Sequence, residues 1–80
     1  MVKLKEIRQA KGLSQSKLAE KAGLNVRTLQ HYEQGSKTFD HARLDTILKC
    51  AIALGCKIED ILDNEEYLNL IRKYEKSQDL

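Results

Sequence analysis

The stretch SQSKLAEKAGLNVRTLQHYEQG, residues 14–35, contains one break in an otherwise helical pattern. The break is Gly23, which is followed by Leu24 and Asn25. Glycine closes helices because it tolerates a left-handed backbone, and asparagine starts them because its side chain accepts from free N–H groups. The stretch therefore predicts two helices that are joined by a three-residue turn and cross at about 90–120°.

Apolar residues recur at helical spacing along the rest of the chain as well. The stripes are Leu4 and Ile7; Leu18, Ala19 and Ala22; Leu29 and Tyr32; Leu44, Ile47, Leu48, Ala51 and Leu54; Ile58, Ile61 and Leu62; and Tyr67, Leu70, Ile71 and Tyr74. Four of the stripes are followed by a glycine, at Gly12, Gly23, Gly35 and Gly55, and the chain has no proline. The pattern predicts an all-α fold of five or six short helices without a strand.

The predicted helix starts share a second pattern, in which a capping residue stands between two apolar residues five positions apart. The pairs are Leu13 and Leu18 around Ser14, Leu24 and Leu29 around Asn25, Phe39 and Leu44 around Asp40, and Leu62 and Tyr67 around Asp63, where Glu66 completes a capping box. Cys56 and Ile61 flank Lys57 in the same way. Lysine has no acceptor, so the start of the fifth helix is the weakest of the set.

Length and composition limit the class of protein. Eighty residues, 41% of them hydrophobic, make one small domain with one core. No apolar run approaches the roughly 18 residues of a membrane span, and the charged N-terminus is unlike a signal peptide, so we expect a cytoplasmic protein. Cys50 and Cys56 lack the spacing of metal ligands and are read as apolar fillers. No metal, cofactor or small-molecule ligand is expected.

The net charge of +2 is unevenly distributed. Residues 1–38 carry eight Lys or Arg against three Asp or Glu, whereas residues 39–80 carry six against nine. A basic half joined to an acidic half suggests one surface for a polyanion and another for a different partner, although an imbalance this small also arises by chance on solvated helix faces.

Residues 4–35, LKEIRQAKGLSQSKLAEKAGLNVRTLQHYEQG, resemble the helix-turn-helix of the Cro/CI phage-repressor family, also called the XRE family. The later segment LDTILKCAIALGCKIEDIL, residues 44–62, is similar to the fourth and fifth helices of that family. The resemblance implies a compact five-helix lambda-repressor-like DNA-binding domain over residues 1–63. It also implies a bacterial or phage-like, nucleoid-associated transcriptional regulator, expected to be a repressor. Residues 64–80 are then an extension, expected to form an extra helix.

The third predicted helix, residues 25–34, presents a polar face of a kind that reads DNA. Leu29 and Tyr32 point to the core, so Arg27 and its neighbours face outward, and arginine can read guanine while glutamine can read adenine. The resemblance implies base contacts from the first turn and a half of this helix, with Gln15 contacting the DNA backbone and bracing a base-reading side chain. The expected base-reading set is Val26, Arg27, Thr28, His31 and Gln15.

Other residues are expected to contact phosphate or to hold the motif together. The phosphate-contacting set is Ser14, Lys17, Gln30, Lys37, Thr38 and Arg43. By the resemblance, Arg8 and Glu33 form a buried ion pair between the first and third helices. Relatives often carry Arg or Lys in the place of His31, so the resemblance does not imply a particular operator.

The C-terminal stripe admits two uses, because it can fold back on its own domain or pair with a second copy. One domain of this kind contacts only a half-site of DNA, so a homodimer is expected, with Tyr67, Leu70, Ile71 and Tyr74 as the candidate interface. Two other functional classes compete with a DNA-binding regulator. An enzyme is disfavoured because no catalytic constellation is present. A protein-interaction module, such as an antitoxin or adaptor component, remains an alternative that is compatible with DNA binding.

Overall fold

The computed structural model of the chain describes residues 2–78. Five α-helices make up most of the described chain, and it contains no strand, which confirms the all-α prediction. The helices are α1 (Lys3–Ala10), α2 (Gln15–Ala22), α3 (Val26–Gln34), α4 (Leu44–Leu54) and α5 (Glu65–Ser77). None of these helices is long and apolar enough to cross a membrane.

Two 3-10 turns, Phe39–His41 and Ile58–Asp60, connect the later helices. The second turn stands where a fifth α-helix was predicted. Its start has only one side-chain bond, from the backbone N–H of Lys57 to the carboxylate of Asp60 at 3.0 Å. Without a capping acceptor at Lys57 the segment forms a single tight turn and leaves helical geometry at Ile61, whose φ is −118°.

The core is aliphatic and draws on every α-helix. Its fully buried members include Leu4 of α1, Leu18 of α2 and Leu29 of α3, and Leu68 brings α5 into the same cluster.

The long apolar stripe of α4 is only partly buried. Ile47, Ala51 and Leu54 face the core as predicted, together with Cys50. Leu44, Leu48 and Ile52 are exposed and form a row along the helix.

The predicted caps at Ser14 and Asn25 are confirmed. The Ser14 hydroxyl accepts from the backbone N–H of Lys17 at 3.1 Å, and the Asn25 side chain accepts from the N–H of Arg27 at 2.8 Å. Between them the backbone turns at Gly23, whose φ of 69° is the left-handed conformation that glycine adopts without strain. The N–H of Leu24 then donates to the Ala19 carbonyl at 2.8 Å, which closes α2.

The predicted caps at Asp40 and Asp63 are wrong. Arg43 precedes α4 without a side-chain cap, and Leu44 is exposed, so the expected pairing of Phe39 with Leu44 does not form. Asp40 lies in the 3-10 turn between α3 and α4, where three residues of extra chain separate it from the helix start. Helix α5 is capped one residue later than predicted, by Asn64.

Asn64, and not Asp63, is the N-cap of α5, because its side-chain oxygen accepts from the backbone N–H groups of Glu66 and Tyr67. The predicted capping box between Asp63 and Glu66 is therefore absent. The Asp63 carboxylate accepts instead from the N–H of Lys3 at 3.2 Å, so it caps α1 from a distance of sixty residues in sequence.

The buried Asp40 carboxylate holds the start of α5. One of its oxygens accepts from the backbone N–H of Asp63 at 2.8 Å and from that of Asn64 at 2.7 Å. The loop after α3 is thereby joined to the chain that leads into α5, and through Asp63 to the start of α1. These two carboxylates fix α5 against the rest of the domain.

Candidate nucleic-acid interface

The α2–turn–α3 unit presents the start of α3 to solvent. Asn25 satisfies the N–H of Arg27 and places Val26 and Arg27 on the surface, while Leu29 and Glu33 on the opposite face are buried. Thr28 and His31 are half-buried beside them. Four of the five side chains expected to read bases therefore lie in the first turns of an α-helix whose other face belongs to the core, and the fifth, Gln15, begins α2.

A buried ion pair joins α1 to α3. The Arg8 guanidinium donates to both Glu33 oxygens, from Nε at 2.7 Å and from a terminal nitrogen at 2.9 Å, and its other terminal nitrogen donates to the Leu13 carbonyl at 2.7 Å. Only 1% of the Glu33 side chain and 10% of the Arg8 side chain are exposed. The hydrogen bond to Glu33 raises the pKa of the Arg8 guanidinium, against the opposing effect of burial.

The ion pair extends to the first residue of α2. Gln15 Nε2 donates to Glu33 Oε1 at 3.0 Å, and Gln30 Nε2 donates to Gln15 Oε1 over a long 3.5 Å. Both glutamines are half-buried. The connection between Gln15 and the ion pair was not foreseen from the sequence, since residues 15 and 33 belong to different helices and no local pattern links them.

The residues expected to contact phosphate surround this unit. Ser14 and Lys17 lie at the start of α2, Gln30 lies in the middle of α3, and Lys37 and Thr38 lie in the loop that follows α3. Arg43 lies just before α4, where its guanidinium pairs with Asp45 at 3.2 Å. That pair is open to solvent, with 86% of the Arg43 side chain exposed, so it exchanges readily for another anion.

The four residues of the candidate dimer face divide into two pairs. Tyr67 and Ile71 are half-buried against their own domain, and the Tyr67 ring lies 6.0 Å from that of His41. Leu70 and Tyr74 are 55% and 65% exposed. They line a groove of about 350 Å³ together with Ile58, Ile71, Glu59 and Glu75. Helix α5 thus packs on its own domain and still presents an apolar face.

The two cysteines lie in α4 and just after it, away from the α2–turn–α3 unit in sequence. Cys50 is fully buried and Cys56 is half-buried, and both are free thiols. Burial, with a smaller contribution from Cys56, raises the pKa of Cys50 to about 11, and burial is also the main cause that raises the pKa of Cys56. Within residues 2–78 no three His, Cys, Asp or Glu side chains are grouped so that they could hold a metal ion.

Comparisons with known proteins agree with this geometry. A helix-turn-helix family model matches residues 4–61. The crystal structure of the restriction-modification controller protein C.AhdI from Aeromonas hydrophila is similar, with 38% sequence identity, a TM-score of 0.66, and coverage of 72% of this chain and 83% of that chain. A search of curated proteins finds no match. The matched residues run from the second residue of α1 to beyond the end of α4 and include the α2–turn–α3 unit, and the chain therefore belongs to the helix-turn-helix family of the XRE type.

Proposed function

We propose that this protein is a sequence-specific regulator of transcription that binds double-stranded DNA with α3 in the major groove. The observation that carries the proposal is the capped turn before α3, which leaves Val26 and Arg27 exposed at the helix start while Leu29 and Glu33 anchor the helix in the domain. The family match supports DNA binding, and the likeness to a controller protein supports regulation as its outcome. Repression follows when the bound site overlaps a promoter, and such a regulator acts in the cytoplasm on the bacterial nucleoid.

Base recognition is assigned to the exposed start of α3. Arg27 carries paired N–H donors that match the two acceptors of guanine, and the methyl groups of Val26 and Thr28 can pack on a thymine methyl. His31 lies one turn beyond Arg27 and extends the same face. Gln15, at the first position of α2, lies beside this face and completes the base-reading set.

Phosphate contacts are assigned to the rim of the face. Ser14 and Lys17 lie at the N-terminus of α2, where free N–H groups favour an anion. Lys37, Thr38 and Arg43 follow α3 in the chain, and we assign them to phosphates of the same groove. Each neutralised phosphate steepens the dependence of log affinity on log salt concentration by about 0.9.

A homodimer that pairs the exposed face of α5 is the second part of the proposal. One domain reads one half-site, so two copies are needed for a site of ordinary length. Leu70 and Tyr74 supply the apolar contact, and Tyr67 and Ile71 border it. The helix begins with Glu65 and Glu66 and ends with Lys76 in its last turn, so antiparallel pairing with a second α5 brings opposite charges together.

The alternative of a protein-interaction module with secondary DNA binding is not favoured, because the family match covers the DNA-reading unit itself. Both matches are to DNA-binding regulators and neither is to an enzyme.

Arg27→Ala tests the role of α3, with Arg72→Ala as a control that removes the same charge from the exposed surface of α5. Arg27→Ala should lower affinity for the preferred site by about 5- to 150-fold and relax the preference at one base pair of each half-site. Arg72→Ala should leave both quantities unchanged. Equal behaviour of the two variants on every DNA sequence would show that α3 does not read bases.

Leu70→Lys tests the dimer face, with Ile52→Lys as its control. Both residues are exposed, but Ile52 belongs to the separate apolar row of α4. Point substitution is preferred to removal of α5 because Leu68 belongs to the core. In sedimentation equilibrium Leu70→Lys should be monomeric and Ile52→Lys dimeric. A monomeric Ile52→Lys beside a dimeric Leu70→Lys would place the interface on α4.

A further inference from the structure

We infer that Gln30 reads an adenine, and that the buried Arg8–Glu33 pair sets the orientation of its side-chain amide through Gln15. The inference rests on the proposed DNA-reading function of α3. From the sequence alone Gln30 was expected to contact phosphate, and its hydrogen bonding gives the reason to assign it a base instead.

The orientation of Gln15 is fixed by its neighbour. Glu33 is a buried carboxylate that already pairs with Arg8, and a carboxylate offers only acceptors. The atom of Gln15 that lies 3.0 Å from Glu33 Oε1 must therefore be its amide nitrogen. A reversed amide would bring two oxygens together inside the domain. The Gln15 oxygen is accordingly directed away from the ion pair and towards Gln30.

The orientation of Gln30 follows from that of Gln15. Because Gln15 presents an acceptor, Gln30 turns an N–H towards it, at 3.5 Å. The donors thus run in one direction, from Gln30 to Gln15 and from Gln15 to Glu33. The second N–H of Gln30 and its carbonyl oxygen, which belong to the same planar amide group, form no other hydrogen bond within residues 2–78.

A side-by-side donor and acceptor match adenine in the major groove. The free N–H can donate to N7 and the carbonyl can accept from the N6 amino group. A phosphate offers acceptors only, so it would use the N–H and leave the Gln30 oxygen without a partner. The position of Gln30 on the helix agrees, because it follows Arg27 by three residues and Val26 by four and so extends the base-reading face by one turn.

The amide orientation also reduces the entropy lost on binding. Glutamine has several freely rotating bonds, and ordering such a side chain opposes complex formation. Gln15 is already held by a buried group, and it restrains Gln30 before DNA arrives. Gln15 and the ion pair are in this respect positioning residues for Gln30.

Selection of bound sequences from random DNA tests the inference, with wild type, Gln30→Ala and Gln34→Ala compared. Gln34 is an exposed glutamine at the end of the same helix and serves as the control. The wild type and Gln34→Ala should prefer adenine at one position of each half-site. Gln30→Ala should lose that preference alone, with affinity for the selected site reduced about 5- to 150-fold.

Gln30→Glu supplies a second readout, because glutamate only accepts and can take a hydrogen bond from the amino group of cytosine. The adenine preference should disappear, with cytosine favoured at the same position. If Gln30→Ala weakens all sequences equally and every base preference persists, Gln30 contacts the backbone and the inference is wrong while the proposed function stands. If the wild type selects no sequence at all, the proposed function fails as well.

Discussion

Replacing Arg8 by methionine should destabilise the domain far more than its position near the N-terminus suggests. The substitution keeps much of the apolar stem of the side chain and removes the guanidinium. Three hydrogen bonds disappear, two to Glu33 and one to the Leu13 carbonyl. Glu33 is left as a charge with 1% of its side chain exposed and with Gln15 as its remaining side-chain donor.

The expected loss is about 3–5 kcal/mol, the usual cost of removing one partner from a buried pair. The bond that Gln15 still donates to Glu33 places the value towards the lower end of this range. Small domains unfold with roughly 5–15 kcal/mol in total, so the variant should retain only a fraction of the native stability. Removing both charges, in Arg8→Met with Glu33→Leu, should recover most of the loss because no charge is then left unpaired.

Urea unfolding at neutral pH, followed by far-UV circular dichroism, measures these differences. The midpoint should fall for each single variant while the dependence of unfolding free energy on urea stays the same. The double variant should lie closer to wild type than either single variant. A loss below about 0.5 kcal/mol for Arg8→Met, the range of ordinary surface substitutions, would refute the reasoning.

Three further predictions concern the turn, the Asp40 contact and the thiols. Gly23→Ala should lower the free energy of unfolding by about 1–2 kcal/mol, measured by urea unfolding. The whole loss should come from backbone strain, because φ is +69° and no atom beyond the chain neighbours lies within 4 Å of the added methyl group. An unchanged urea midpoint would contradict the left-handed turn. Asp40→Ala should lower the free energy of unfolding by about 1–3 kcal/mol, because two part-buried N–H groups lose their acceptor. Asp40→Asn should lower it less, because asparagine keeps an acceptor oxygen. Equal losses for the two variants would show that only the charge of Asp40 matters. Cys56 should react with a thiol reagent at mildly alkaline pH well before Cys50. Cys50 is buried, and its raised pKa of about 11 keeps the thiol protonated at that pH. Faster reaction at Cys50 would contradict its burial.

The sequence predicts the first half of the fold in detail because its signals are local there. Ser14 and Asn25 cap helices that begin one residue later, and Gly23 ends a helix at the residue before it. Each of these interactions joins residues two to five positions apart, so spacing alone reveals it. The face that we propose to read bases follows directly from the same boundaries.

The second half is predicted less well because its contacts join distant parts of the chain. Asp40 is of a residue type that often caps helices, but its carboxylate accepts from the N–H groups of residues 63 and 64. The Asp63 carboxylate likewise accepts from the N–H of Lys3 in α1 instead of capping α5. No spacing rule reports contacts over twenty to sixty residues, so the sequence pattern places both aspartates at the nearest helix start.

The apolar stripes of α4 and α5 show a second limit of periodicity. Helical spacing marks Leu44 and Leu48 as core residues, yet α4 buries a different side and leaves them exposed. On α5 the buried residue is Leu68, which lies outside the predicted stripe. A helix with apolar residues over most of its circumference does not reveal which side meets the domain, because that depends on how the other helices pack.

Sequence selection with the full-length wild-type protein tests the central claim most directly. Random double-stranded DNA is incubated with the protein, and the bound fraction is amplified and sequenced over several rounds. A dimer that reads DNA with α3 should enrich a two-fold symmetric site whose half-sites are centred about 10 base pairs apart, or a multiple of that distance. Uniform recovery of all sequences, with no enriched motif, would contradict the account.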